Sequence, residues 1–386
     1  MERGVSPNTS RKAGRVVLTS DRTSAKSEVM FLKKLDLHHP IIQAPMAGVS
    51  TPAMAAAVSN AGALGSIGLG AEKPDGAKRM ILATQALTTR AFNVNVFTHR
   101  PATSVKAVEN AWIERLRPEF ARYGATPPAS LSEIYRSFVA DDTMLEVLLE
   151  LKPRVVSFHF GLPTPKQLQA LRAAGIVLMG SATNLAEGRA IAASGMDAVV
   201  AQGIEAGGHR GMFDPTAHDD CLTTIALTRL LVRSLDIPVI AAGGIMDGAG
   251  IAAVLKLGAV AAQLGTAFVD CPESSADVGF RAALKSEAAL HTQLTAAISG
   301  RPARSLANRF TTLGDSLAAS EIPSYPIAYD AGKALHAAAR AKSEYGYGAQ
   351  WAGQGAPLAR SLAAADLVRT LVSEMSAAGV ATRGAP

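Results

Sequence analysis

Between Pro40 and Phe268 the chain alternates short apolar runs with longer amphipathic stretches, and it does so eight times. The runs are residues 41–44, 63–66, 92–96, 155–158, 177–180, 198–201, 239–242 and 261–264. Each is mostly apolar on both faces, as expected of strands buried inside a parallel sheet rather than half-exposed ones. Helix-like segments lie between them, such as 52–60, 166–174, 185–193 and 249–257. Gly62, Gly175, Gly195 and Gly258 stand where those segments would end, suited to a left-handed C-terminal turn. In the second half the runs begin near 155, 177, 198, 239 and 261, a spacing of 21 or 22 residues with one longer gap after Ala201. Eight such units predict an α/β fold, a (β/α)8 TIM barrel. The doubly wound open sheet uses the same local units and is the alternative. Closure is favoured because none of the runs is polar like an edge strand.

Two regions interrupt the rhythm. Residues 100–150, after the third run, carry Pro101, Trp112, Tyr123 and Tyr135 in a helical pattern and predict a helical insertion. From 271 to 386 the chain is largely Ala-rich, predicting a helical extension packed on a barrel of residues 29–270. Residues 1–28 are Ser/Thr-rich, hold Arg3, Arg11, Lys12, Arg15, Arg22 and Lys26, and read as a disordered basic leader. That leader lacks an apolar signal region, which speaks against secretion, while its Arg and Ser content leaves a transit peptide open.

Composition narrows the function classes. With 48% hydrophobic and 18% charged residues, the chain can bury a large core. The net charge of +6 is dispersed, and basic residues do not alternate with aromatics along one face, so no nucleic-acid partner is expected. No run of about 18 apolar residues occurs, so no membrane span is expected. The two cysteines, Cys221 and Cys271, lack metal-ligand spacing and point to a reducing compartment, the cytoplasm.

In such a barrel the reacting groups come from the C-terminal ends of the strands. Those ends present Gln43-Ala44-Pro45-Met46-Ala47-Gly48, Asn93-Val94-Asn95, Ser157-Phe158-His159-Phe160-Gly161, Gln202 to Gly211, Ala242-Gly243-Gly244-Ile245 and Gln263-Leu264-Gly265-Thr266. Glycines and amides dominate, and carboxylates are scarce. Glycine lets backbone N–H groups approach a ligand closely, and helix N-termini favour anions. Three Gly-rich turns after runs six, seven and eight therefore predict a phosphate cradle, although any single Gly–Gly pair also suits an ordinary barrel turn. Asn95, Gln202 and Gln263 can bond a flat heteroaromatic ring through their amides. No Asp/Glu/His metal cluster is evident, so no metal is expected. The implied ligand is a phosphorylated aromatic cofactor, for which flavin mononucleotide (FMN) fits better than a sugar phosphate.

His159 ends the fourth run between two phenylalanines, where an imidazole can act as acid or base near its ordinary pKa of about 6.5, or be a core histidine satisfied by a carbonyl. His209, in a glycine loop, suits a cofactor contact as well as catalysis. His38 and His39 read as surface residues, His99 as uninvolved, and Cys271 as a small buried hydrophobe. Gly248-Ala249-Gly250-Ile251-Ala252-Ala253 matches a loose dinucleotide pattern, but begins six residues after its strand instead of directly at its end. Neither a GxxxxGK[ST] loop nor a GxSxG elbow occurs.

Taken together, and with Arg301-Pro302-Ala303-Arg304 and Trp351-Ala352-Gly353-Gln354, these stretches resemble the nitronate monooxygenase (2-nitropropane dioxygenase) family from about Leu35 to Leu358. The resemblance implies an FMN-dependent TIM-barrel enzyme that oxidises alkyl nitronates with dioxygen to a carbonyl compound and nitrite. It implies that Met46 and Ala47 lie against the isoalloxazine and that Asn95 and Gln202 bond the flavin. Gly207, Gly208, Gly243, Gly244 and the turn Gln263, Leu264, Gly265, Thr266 would hold its phosphate, and His159 would be the catalytic residue. The nearest alternative is an FMN-dependent NAD(P)H reductase, of enoyl-acyl-carrier-protein or quinone, on the same scaffold. A homo-oligomer is compatible with either reading.

Overall fold

A computed structural model describes residues 30–379, so the expected leader lies outside the described residues. Strands β1 (Ile41–Gln43), β2 (Gly65–Gly68), β3 (Phe92–Phe97), β4 (Val155–His159), β5 (Val177–Ala182) and β6 (Ala198–Gln202) follow in chain order. The two-residue β7 (Gly208–His209) leaves the barrel, and β8 (Val239–Ala242) and β9 (Ala261–Leu264) return to it. The eight long strands form one parallel sheet in the order β1-β9-β8-β6-β5-β4-β3-β2. The two ends of that order meet at a parallel bridge between Ile42 and Leu64. There the Gln43 N–H donates to the Leu64 carbonyl and the Leu64 N–H to the Ile41 carbonyl, each at 2.9 Å. The sheet is thereby nearly closed into a barrel, which removes the open-sheet alternative.

Both strand faces are apolar because both are buried. Val155, Val177, Val200 and Ile240 pack with one another in one core cluster. Their neighbours Val156, Leu178 and Val199 meet the helices through Leu168, Leu171, Ile191, Leu227 and Leu231. Helix starts are written into the sequence: Thr51, Asp141, Thr164, Asn184, Thr223 and Asp247 each cap a helix by accepting a backbone N–H.

The eighth barrel helix does not follow β9 directly. Helix Ala364–Ala377 packs against helices Gly248–Lys256 and Pro52–Asn60, the place between β9 and β1 that an eighth helix must fill. Its Leu367, Val368, Leu371 and Met375 are buried against Ile41, Met54 and Ile251. The barrel therefore does not end at 270 as expected: residues 266–363 are inserted inside its last unit. The helical insertion likewise divides. Helix Asp142–Leu151 packs beside helices Pro74–Leu87 and Pro165–Ala173 as a barrel helix, whereas helix Lys106–Arg122 leaves to pack on helix Ile327–Arg340. Trp112, Leu116 and Phe120 form a second core there with Phe310, Leu335 and Tyr347. The extension is not wholly helical either. It contains β10 (Thr292–Thr295) and β11 (Ala303–Leu306); β11 pairs antiparallel with both β10 and β7, and this small sheet explains the long gap after Ala201. Among the described residues no helix is long and apolar enough to cross a membrane.

Candidate active site

At the C-terminal ends of the strands lies a cavity of about 630 Å³, roofed by the inserted segment. All the expected site residues line it except Leu264. The Leu264 side chain is buried on the helix side with Ile41 and Phe268, while its carbonyl accepts the Ala44 N–H at 2.8 Å. The turn after β1 is held from below by the buried Gln43, whose Oε1 accepts the Ser66 N–H at 2.8 Å and whose Nε2 donates to the Ser50 hydroxyl at 2.9 Å. That hydroxyl also accepts the Met46 N–H at 2.9 Å, which fixes Met46 and Ala47 at the cavity wall.

The glycine turns converge. After β8, Gly243 and Gly244 have φ of +124° and +68°, conformations that L side chains rarely adopt. After β6, a Cβ on Gly207 would stand 2.5 Å from the backbone nitrogen of Gly353. The Gly353 N–H donates to the Thr266 hydroxyl at 2.9 Å, joining this segment to the turn after β9. Gly208 and Gly265 complete the same wall. The result is a backbone-lined end of the cavity, built from three barrel turns and the distant Trp351–Gly353 stretch.

The three amides differ in their commitments. Asn95 Nδ2 donates to the Ser157 carbonyl at 3.1 Å and hydroxyl at 2.9 Å, leaving Oδ1 without a partner among the described residues. The Gln263 amide has no partner there and faces the cavity. Gln202 is engaged at both ends: Nε2 donates to the His209 carbonyl at 2.9 Å, and Oε1 accepts the Gly211 N–H at 2.7 Å.

His159, at the end of β4, reaches the cavity with its Nε2 3.1 Å from the His209 carbonyl. Burial is the main influence on its pKa and lowers it to about 4. The His209 hydrogen bond opposes that shift, and the Arg301 and Arg210 cations reinforce it. The sequence-based expectation of an ordinary value near 6.5 does not survive this burial, and the imidazole is neutral at neutral pH. Phe160, next along, holds φ at +82° and has its ring 4.1 Å under the buried Arg301 guanidinium. His209 lines the cavity too, its Nε2 2.9 Å from the Ser299 hydroxyl and its ring among Phe160, Tyr325 and Trp351. His99 is buried outside the cavity against Tyr325, and Cys271 is buried in the barrel core. Among the described residues no group of three His, Cys, Asp or Glu side chains is placed to hold a metal.

Residues 29–374 match the family model described as nitronate monooxygenase. The nitronate monooxygenase of Paraburkholderia phytofirmans is 62% identical over 356 residues, 92% of this chain and 96% of that one. The nitronate monooxygenase of Pseudomonas aeruginosa is 53% identical, covering 89% and 98%. Among solved structures, nitroalkane oxidase from Streptomyces ansochromogenes superposes with a TM-score of 0.81 at 40% identity, covering 90% and 98%. FabK from Thermotoga maritima reaches 0.67 at 29% identity, covering 90% and 96%. The chain belongs to the nitronate monooxygenase family. That family is a class of flavin-dependent oxidoreductases.

Several residues of this nitronate monooxygenase family member went unassigned in the sequence. Tyr329 and Lys333 lie on helix Ile327–Arg340, Tyr325 just precedes it, and Tyr135 comes from the insertion; all four line the cavity. Lys333 Nζ lies 5.1 Å from the Tyr135 ring centroid and 5.5 Å from that of Tyr329, and burial lowers its pKa. Their helical spacing signals an amphipathic helix, but nothing local says that its face covers a barrel 200 residues upstream. Arg210 is the other omission. Its guanidinium is buried, pairs with Asp219 at 2.7 and 2.9 Å, and donates to the Gln202 and Gly203 carbonyls.

Proposed function

We propose that the protein catalyses FMN-dependent oxidation of alkyl nitronates by dioxygen, giving a carbonyl compound and nitrite. One observation carries this reading: a single cavity is lined by converging glycine turns, while His159 stands at its β4 side. Those turns suit one phosphate, reached by backbone groups. Beyond it, the free Gln263 amide and the free Oδ1 of Asn95 offer donors and an acceptor to the polar edge of a flavin ring, with Met46 and Ala47 as its apolar support. When bound, the flavin supplies the redox centre that takes electrons from the nitronate and passes them to dioxygen. The chain's own residues do the rest. His159, neutral at neutral pH, takes the α-proton of a neutral nitroalkane. Phe97 and Phe160 pack against the imidazole, and helix Ile327–Arg340 covers the cavity.

The dinucleotide alternative loses its one motif. Gly248 begins a helix capped by Asp247, and a Cβ there would lie 2.3 Å from the Met375 nitrogen, so this glycine admits the last barrel helix and not a phosphate. The structural likeness to FabK keeps a reductase in view as the competing reading, at lower identity and TM-score than nitroalkane oxidase. The absorbance spectrum of the purified protein, then anaerobic mixing with propionate 3-nitronate and separately with NADPH, decides between them. Bleaching by the nitronate, with nitrite after air is admitted, is expected. Bleaching by NADPH alone, without nitrite, would replace the monooxygenase by the reductase. Cysteine usage supports a cytoplasmic location for this chemistry.

A further inference from the structure

One carbonyl oxygen in the site accepts two side chains. The His209 carbonyl lies 3.1 Å from His159 Nε2 and 2.9 Å from Gln202 Nε2. A carbonyl only accepts, so the imidazole nitrogen facing it carries the proton, and the lone pair of the neutral ring sits on Nδ1. Among the described residues Nδ1 has no partner, and His159 lines the cavity. The loop that presents this carbonyl is fixed from both sides by one amide. Gln202 donates to the His209 carbonyl and accepts the Gly211 N–H at 2.7 Å, spanning three residues. The fit against the ring is close: a Cβ on Gly211 would stand 2.9 Å from His159 Cε1. Below, Arg210 anchors the same loop to the end of β6 through the Gln202 and Gly203 carbonyls, at 3.1 and 3.2 Å.

We propose that Gln202 is a positioning residue for His159: by clamping the 209–211 loop it holds the imidazole in the Nε2–H tautomer, with Nδ1 directed at the substrate. This rests on the assignment of His159 as the group that handles the substrate proton. It gives Gln202 a task other than bonding the cofactor, since both ends of its amide are already used by the protein.

The test uses holoenzyme labelled with 15N-histidine, the His159 signals being identified by their loss in His159→Asn. The wild type is expected to show Nε2–H for His159, and a wild type with Nδ1–H overturns the proposal without any Gln202 variant. Gln202→Met keeps the side-chain volume and removes both hydrogen bonds. It is expected to mix the two tautomers and to lower kcat about tenfold to a hundredfold, with flavin content and KM near the wild type. Unchanged tautomer and kcat would overturn the proposal. So would loss of flavin with wild-type kcat per bound flavin, which makes Gln202 a cofactor ligand only. If the wild type oxidises no nitronate yet the tautomer shifts in Gln202→Met, the proposed activity fails and the positioning role stands.

Discussion

Replacing Gly207 by alanine tests the backbone-lined end of the cavity directly. The new Cβ would stand 2.5 Å from the Gly353 nitrogen, 2.6 Å from the Ala352 carbonyl carbon and 2.9 Å from its Cα. All three are backbone atoms, so no rotamer change relieves the contact, which falls about 1 Å short of the ~3.5 Å of ordinary packing. The facing segment cannot simply withdraw. The Gly353 N–H is bonded to the Thr266 hydroxyl and the Gln354 N–H to the Glu205 carbonyl, each at 2.9 Å. Overpacking costs about 1–3 kcal/mol, and loosening two hydrogen bonds adds about 1 kcal/mol each, so a loss of about 3–5 kcal/mol is expected. For a chain of this size that lowers Tm by about 3–6 °C. Gly208→Ala is the matched control: its Cβ would find only Trp351 Cβ at 3.9 Å, leaving the left-handed φ of +74° to cost about 1–2 kcal/mol. Calorimetry, with flavin absorbance after gel filtration, reads both effects. Gly207→Ala should melt earlier and lose cofactor, while Gly208→Ala keeps its flavin. If Gly207→Ala retains full flavin and melts within about 1 °C of wild type, the close approach of these two turns is not what shapes the site.

Three further outcomes follow from the same geometry. Burial lowers the pKa of His99 and His159 to about 4 and that of His209 well below its ordinary value, so between pH 6.5 and 4 the unfolded chain binds protons that the folded one refuses. Stability should therefore fall as pH drops through that window, by about 1.4 kcal/mol per pH unit for each group, and a Tm that holds or rises from pH 7 to 5 would contradict it. For a neutral nitroalkane, kcat/KM should be flat from pH 5 to 8 and decline only towards the His159 value of about 4. A rise through about 6.5 would mean that the imidazole is solvated. Finally, a chain cut after Ala363 loses the helix carrying Leu367, Val368, Leu371 and Met375, all wholly or almost wholly buried. It should not fold, and a soluble product with native circular dichroism would show that this helix is no part of the barrel.

Much of the barrel was legible because its physics is local. A strand buried on both faces must be mostly apolar, and that mark survives in a bare string of residues. Hence β8 and β9 fall where the apolar runs predict, and His159 stands at a strand end. The one displaced strand, β2, lies at Gly65–Gly68 and not 63–66, because Leu64 is taken up by the closing bridge to β1. The glycine turns were visible for the same reason: positive φ leaves few other choices.

What needed the folded chain was every contact between distant segments. Nothing near residue 364 tells that helix Ala364–Ala377 completes a ring begun at Ile41, because an amphipathic face records that it is buried and not against what. Nor does the sequence around Gln202 reveal that its amide is spent on the 209–211 loop. The pKa of His159 belongs to this second kind: the imidazole is the same in any sequence, and its burial beside Phe97 and Phe160, with the Arg301 and Arg210 cations, lowers the pKa against the opposing His209 hydrogen bond. The sequence by itself determined the repeating unit and the chemistry at each strand end. Tertiary structure decided which of those ends share a cavity, because closure, roofing and desolvation are properties of surfaces brought together across hundreds of residues.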